Sequence, residues 1–92
     1  MAIRNRARVS RRNWIVQDPG ILGGEPVVRG SRIPVRSIVR AFEIYGDRER
    51  VLQAFPSLRP DQVDAAMRFY EANRELVRRY IEENEAAAFA KD

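Results

Sequence analysis

Arginine is the residue type whose chemistry stands out in this sequence of 92 residues. Sixteen of the 17 basic residues are Arg, and they outnumber the 13 acidic residues to give a formal net charge of +4. Guanidinium groups bind phosphate or carboxylate through paired hydrogen bonds. The chain has no Cys and no His, which excludes zinc knuckles, disulfide frameworks and histidine acid–base chemistry. These residue types favour a binding protein over an enzyme.

The positive charge is concentrated in the first part of the chain. Residues 1–40 carry nine Arg and two acidic residues, whereas residues 41–92 carry eight basic and eleven acidic residues. This asymmetry is typical of a protein that binds a polyanion at one end and a protein at the other. Residues 1–13, which we call the arm, have little apolar content, so we expect them to be flexible without a ligand.

The arm carries five Arg within nine positions and no acidic residue. An extended chain of this kind can follow the phosphates of DNA or enter a minor groove, as the arms of homeodomains do. The alternative interpretation is a solubilising tail without a target. The arginines that we predict to contact DNA in the arm are Arg4, Arg6, Arg8, Arg11 and Arg12.

The carboxylates form groupings that are common on solvated helices. Asp61 and Asp64 make one pair, and three Glu lie within residues 82–85. No catalytic nucleophile with its base, no phosphate-binding glycine loop and no metal-ligand spacing accompanies them. We therefore predict that the protein is not an enzyme and that it uses no metal or cofactor.

The sequence also bears on cellular location. No apolar run approaches the ~18 residues that a membrane span requires. The lack of Cys fits a reducing cytoplasm, where we expect the protein to act. The Arg-rich start has the composition of a transit peptide as well, but without an evident amphipathic pattern.

Short strands are predicted before residue 34. Residues 14–16 favour a strand, and residues 26–33 favour a tight hairpin in which Gly30 takes the positive φ of the turn. Two arginines, Arg29 and Arg32, flank this turn. Together with its backbone amides they form a candidate phosphate site. Alternatively, the turn only sets the hairpin geometry, with an Arg paired to a nearby carboxylate.

Beyond Pro34 the apolar period becomes helical. A first helix ends at Gly46, a second is capped by Asp47 and ends at Pro56, and a third opens at Pro60. Three helices joined by short turns predict a mainly α, helix-turn-helix three-helix bundle behind the hairpin. The residues expected to face inward are Val35, Ile38, Val39, Phe42, Tyr45, Val51, Leu52, Phe55, Val63, Ala66, Met67 and Tyr70.

The chain beyond residue 72 admits two interpretations. The third helix either continues to about Ala90 as a long helix that projects from the body, or breaks near Asn73 and Arg74, where the apolar stripe falters. In either case residues 73–92 carry an apolar face that we expect the small core to leave open to a protein partner. Its predicted partner-binding residues are Leu76, Val77, Arg78, Tyr80 and Ile81.

One long motif resembles a known family. Residues 23–35, GGEPVVRGSRIPV, are similar to the prokaryotic family catalogued as domain of unknown function 433. Further matches follow at Gly46, at residues 51–56 and at residues 58–66, so that the resemblance covers about residues 14–72. Members of that family resemble homeodomain-like helix-turn-helix proteins. Several of them are VapB-type antitoxins that pair with PIN-domain-like ribonuclease toxins.

The sequence departs from the usual family pattern in three places. Ser31 replaces a Thr and keeps its hydroxyl, and the interval from Gly46 to Leu52 is one residue short. Arg59 stands at the N-cap of the third helix, where Thr is common, which removes a cap that is worth about 0.5–2 kcal/mol.

The resemblance implies the antitoxin of a type II toxin–antitoxin pair. Such a protein neutralises a PIN-domain-like ribonuclease and represses its own operon by binding double-stranded operator DNA. A homodimer or higher oligomer would match a palindromic operator. Two alternatives remain, a stand-alone transcriptional regulator without a toxin and a homo-oligomeric interaction module.

Outside the arm, five further residues are DNA-binding candidates. Gln62 and Arg68 on the third helix have side chains that can read adenine and guanine. The nearby Asp61 and Asp64 repel phosphates, so the start of this helix is equally well explained as capping structure. The full set outside the arm is Arg29, Arg32, Arg36, Gln62 and Arg68.

Overall fold

The computed structural model describes residues 14–91, and side chains through residue 86. A two-stranded antiparallel ribbon precedes four helices, so the predicted mainly α architecture with a small β-hairpin in front is confirmed. In chain order the elements are β1 (Ile15–Val16), β2 (Val27–Val28), α1 (Val35–Tyr45), α2 (Arg48–Ala54), α3 (Pro60–Ala72) and α4 (Arg74–Lys91).

The ribbon pairs strands that are distant from each other in the sequence. Ile15 lies opposite Val28, and Val16 lies opposite Val27. The hairpin predicted within residues 26–33 is reduced to an isolated bridge between Val27 and Pro34. The strand that pairs with β2 is therefore β1, because the loop between the two strands turns the chain back alongside β1. Val27 and Val28 are fully buried, so this strand belongs to the core.

Helix α1 begins and ends where the sequence predicts. Pro34 precedes its first turn, and Gly46 adopts a φ of 68° at its end, where its N–H donates to the carbonyl of Phe42 at 2.8 Å. Ile38 and Val39 are buried as expected. Tyr45 was expected to face inward, but 43% of it is exposed. The reason is its position in the last turn, where the chain leaves α1 and Arg50 lies over the Tyr45 ring.

The second and third helices follow α1 and are joined by residues 55–59. The Asp47 carboxylate accepts from the Glu49 N–H at 3.1 Å, which confirms the predicted cap of α2. Arg59, before α3, provides no side-chain cap. Instead, Oε1 of Gln62 accepts a hydrogen bond from the Arg59 N–H at 2.7 Å, which stabilises the first turn from within the helix.

The helical path is interrupted between α3 and α4 at Asn73. Its backbone leaves the helical region, and its side-chain amide donates to the Phe69 carbonyl at 3.0 Å. Of the two interpretations of this segment, the break is correct and the single projecting helix is wrong. After the break, α4 packs against α1 and α3, and no helix in the described range is long and apolar enough to span a membrane.

Two of the predicted partner-binding residues lie in the core. Val77 is 1% exposed and Ile81 is 2% exposed, and both belong to the same cluster as the buried face of α1. Their assignment to a partner surface is corrected, because α4 folds back and covers the open side of α1. The buried cluster comprises Val28, Val35, Ile38, Val39, Ala41, Val51, Leu58, Val63, Ala66, Tyr70, Val77 and Ile81.

Replacing Ile81 with Ala should test this closure of the core. We expect the free energy of unfolding to fall by about 2–5 kcal/mol, because the change removes buried methyl groups and leaves a cavity. Urea unfolding followed by circular dichroism measures it. The exposed Arg79 on the same helix supplies the control, since Arg79→Ala should stay within about 0.5 kcal/mol of the parent. Equal destabilisation of the two variants would contradict the packing of α4.

Candidate nucleic-acid interface

The turn after β2 is held by its own hydrogen bonds. The Ser31 hydroxyl donates to the Val28 carbonyl at 2.8 Å and accepts from the Ile33 N–H at 3.0 Å. The Ser31 N–H also donates to the Val28 carbonyl, at 3.0 Å. The Ser31 amide is therefore engaged within the turn and not directed at a phosphate, which supports the interpretation of the turn as hairpin geometry. Arg32 is exposed beside it, on a shallow groove of about 310 Å³.

Trp14 gathers two arginines from distant parts of the chain. The Arg29 N–H donates to the Trp14 carbonyl at 2.7 Å, which ties the turn to the start of β1. The guanidinium carbon of Arg29 lies 5.4 Å from the centroid of the indole ring, and that of Arg59 lies 5.5 Å from it. Both are within the range of a cation–π interaction. We call Trp14, Arg29 and Arg59 the Trp14 cluster.

Two members of this cluster were not among the predicted site residues. The sequence pattern predicts that Trp14 is part of a strand and that Arg59 is a poor cap for the third helix. The only signal in the sequence is negative, because Arg59 replaces a capping residue without supplying a cap of its own. Its contact with Trp14 joins residues 45 positions apart, and no local pattern in the sequence reveals such a contact.

Arg36 has an internal partner. Its Nε lies 2.5 Å from Oε2 of Glu25, in an ion pair rather than an aligned hydrogen bond. The Glu25 side chain is 6% exposed and that of Arg36 is 25% exposed. The charge of Arg36 thus compensates a buried carboxylate, and its predicted contact with DNA stays a prediction.

The exposed face of α3 is made of paired charges. Arg48 donates two hydrogen bonds to Asp64, at 3.0 and 2.9 Å, and Arg59 reaches Asp61 at 2.9 Å. The hydrogen bond from Arg48 lowers the pKa of Asp64, and the one from Arg59 lowers the pKa of Asp61. Both acids that oppose DNA binding are therefore compensated within the protein.

The two predicted base-reading residues on α3, Gln62 and Arg68, differ in whether their side chains are engaged within the protein. Oε1 of Gln62 is engaged at the helix start, which fits the capping interpretation. Arg68 is exposed one turn beyond Asp64 and remains a candidate DNA contact. The five arginines of the arm, Arg4, Arg6, Arg8, Arg11 and Arg12, lie outside the described residues.

Helices α1 and α4 are joined by a small network of charges. Glu43 accepts from Arg40 at 2.7 Å and from Arg78 at 2.6 Å, and Arg40 also pairs with Glu85 at 2.7 Å. The hydrogen bond from Arg40 lowers the pKa of the Glu43 carboxyl. Arg78, predicted to bind a partner, is therefore engaged in holding α4 against α1.

The remaining predicted partner residues are at least partly accessible. Leu76 and Tyr80 are half-buried and lie one turn apart on α4. Leu76 lines a shallow groove of about 480 Å³ that extends across the helix break at Asn73. Within the described residues, no group of three or more acidic side chains is placed to hold a metal ion.

The fold and the motif together define a small helical domain with a β-ribbon in front. The family described as "Protein of unknown function (DUF433)" matches residues 15–70. The chain belongs to this family, as the motif at residues 23–35 indicates.

Two similar proteins support this assignment. The uncharacterized protein y4eO of Sinorhizobium fredii is 40% identical over 62 residues, which are 67% of this chain and 28% of that protein. The chain thus spans less than a third of the length of this relative. A crystal structure of a DUF433 member from Anabaena variabilis is 30% identical, with a TM-score of 0.75 over 88% of this chain and 79% of that one.

Replacing Gly30 with Ala should show that the conformation of this turn contributes to the stability of the fold. Gly30 has a φ of 82°, a conformation that costs other residues about 1–3 kcal/mol. We expect the melting temperature to fall accordingly, even though an added Cβ would meet no atom within 4 Å.

Gly20→Ala is the matched control, because Gly20 lies outside the left-handed region and its added Cβ would meet only Asp18 Oδ1, at 3.5 Å. This variant should melt at the temperature of the parent or slightly above it. A Gly30 variant that melts like the Gly20 variant would contradict the strained turn.

Proposed function

We propose that this protein is the antitoxin of a type II toxin–antitoxin pair, which binds operator DNA and neutralises a PIN-domain-like ribonuclease in the cytoplasm. The observation that carries the proposal is the one-sided placement of arginine. Arg29 and Arg59 lie against Trp14, next to the arm in the chain, Arg32 is exposed on the turn that follows Arg29, and the arm itself adds five more.

The DNA-binding part of the proposal follows from charge. Basic side chains that neutralise phosphates release counterions, and this term supplies most of the affinity of nonspecific DNA binding. The carboxylates of α3 are paired with Arg48 and Arg59, so they oppose this attraction less than the sequence suggests. The arm stands directly before Trp14 in the chain and adds five arginines to those of the folded body.

The toxin-binding part rests on α4 and on the family resemblance. With Val77 and Ile81 in the core, the partner surface reduces to Leu76, Tyr80 and the groove at the break. Arg79 is exposed at the same groove. A guanidinium there suits the acidic, metal-binding active site that the resemblance implies for the toxin.

Two other functions fit parts of the same observations. A stand-alone regulator would use the basic surface without the α4 groove. A homo-oligomeric module would use α4 without DNA. The relative in Sinorhizobium fredii is much longer than the matched region, so the domain also occurs within a larger chain. Measurements of DNA binding and of toxin neutralisation separate these alternatives.

Deleting residues 1–12 should weaken DNA binding and leave the fold intact. The slope of log affinity against log salt should flatten by up to about 0.9 for each phosphate that the shortened chain no longer neutralises. Fluorescence anisotropy with an operator duplex at several salt concentrations measures this slope, and thermal melting serves as the control. A slope identical to that of the full chain would place all the phosphate-binding residues on the folded body.

Replacing Leu76 and Tyr80 together with Asp should abolish neutralisation of the toxin. The two side chains are only half-buried, so part of each can contact a partner. The binding energy of an interface is concentrated in a few apolar and aromatic side chains of this kind. The readout is growth after co-expression with the PIN-domain-like ribonuclease that the proposal places beside the gene.

Arg50→Asp, an exposed position on α2 that is not among the residues lining the groove, is the control and should still neutralise the toxin. Each variant is first checked by circular dichroism for the helical content of the parent. If the unaltered protein fails to restore growth, the stand-alone regulator becomes the better interpretation.

A further inference from the structure

The Trp14 cluster places two positive charges on a single aromatic ring. Arg29 comes from the turn after β2, and Arg59 comes from the residue before α3. Each guanidinium is attracted by the negative face of the indole ring, but the two guanidinium groups repel each other. Phosphate oxygens accept hydrogen bonds from guanidinium groups, so two arginines held on one ring form a candidate phosphate contact.

Asp61 is the carboxylate bound directly to this cluster. It accepts hydrogen bonds from Nε and Nη2 of Arg59, at 3.3 and 2.9 Å. The side chains of Arg59 and Asp61 are 67% and 52% exposed, so the pair is open to solvent. An exposed pair of this kind contributes little to stability, and a phosphate can therefore compete with Asp61 for the guanidinium.

The position of the cluster relates it to the arm. Arg12 precedes Trp14 by two residues, so the chain between them spans at most about 7 Å. Whatever backbone the arm follows must therefore pass close to Trp14. The ring itself already bears two guanidinium groups and is half-buried, which disfavours stacking of a nucleotide base on it.

We propose that Arg29 and Arg59, held against Trp14, form a sequence-independent phosphate anchor for duplex DNA at the point where the arm joins the body. The inference rests on the proposed DNA-binding function and deepens it by naming the residues on the folded domain. In this arrangement DNA is contacted by the residue that precedes α3, and α3 does not lie along the major groove. Base contacts then come from the arm or from Arg68.

Alanine substitutions of the two arginines in the full chain test the anchor. The probe is a labelled duplex of about 20 base pairs of arbitrary sequence, followed by fluorescence anisotropy between about 50 and 200 mM salt. Arg29→Ala and Arg59→Ala should each lower the salt slope by about 0.9, and the double variant by about twice as much. A duplex of scrambled sequence should give the same reductions.

Two further variants sharpen the comparison. Arg50→Ala removes an exposed arginine from α2, outside the proposed binding surfaces, and should leave the slope unchanged. Asp61→Asn removes the competing carboxylate and should tighten binding, with the larger gain at about 50 mM salt and the smaller at about 200 mM. Because Trp14 is the single Trp of the chain, its emission should change on addition of duplex, and this change should vanish in the double variant.

The outcomes are distinguishable. If the double variant keeps the slope of the parent while deletion of residues 1–12 lowers it, the anchor is wrong and the proposed DNA binding stands. If the unaltered chain shows no salt-dependent binding to either duplex, both proposals fail. Tighter binding of a single strand of the same length would overturn the anchor in favour of base stacking. Circular dichroism of every variant confirms that the fold is kept.

Discussion

The burial of one face of α1 is the constraint on which the rest of the structure depends. Val35 and Ile38 are fully buried and Val39 is 1% exposed, and α2, α3 and α4 all pack against this helix. A chain of this size buries only about 60–65% of its unfolded surface, so each covering element matters. The ribbon closes one end of this face through Val28, and α4 closes its open side through Val77 and Ile81.

Much of the architecture could be predicted because its signals are local. The 3.6-residue apolar period, the capping Asp47 and the terminal Gly46 act over one or two turns, and the helices they define are found in the structure. The outward position of Tyr45 shows the limit of this reasoning. Periodicity assigns a face of the helix, but whether another element covers that face at its last turn depends on the path of the chain beyond it.

The features that the sequence did not reveal all depend on contacts between distant residues. The pairing of β1 with β2 rests on two residues in each strand, too few to produce a pattern. The contact of Arg59 with Trp14 and the ion pair of Arg36 with Glu25 link separate elements. The sequence indicates that arginine matters here. Only the fold divides the arginines into those that neutralise a carboxylate of the same chain and those that extend a basic surface.

The ion pair between Glu25 and Arg36 has a consequence for how this family can diversify. A change at either position alone leaves the other charge uncompensated, most severely for the Glu25 carboxylate, whose side chain is 6% exposed against 25% for Arg36, and uncompensated buried charges destabilise strongly. Replacing both with apolar residues of similar volume, in contrast, is often neutral or stabilising. The two positions should therefore covary within the family, and sequences that lack Glu25 should also lack a basic residue at position 36.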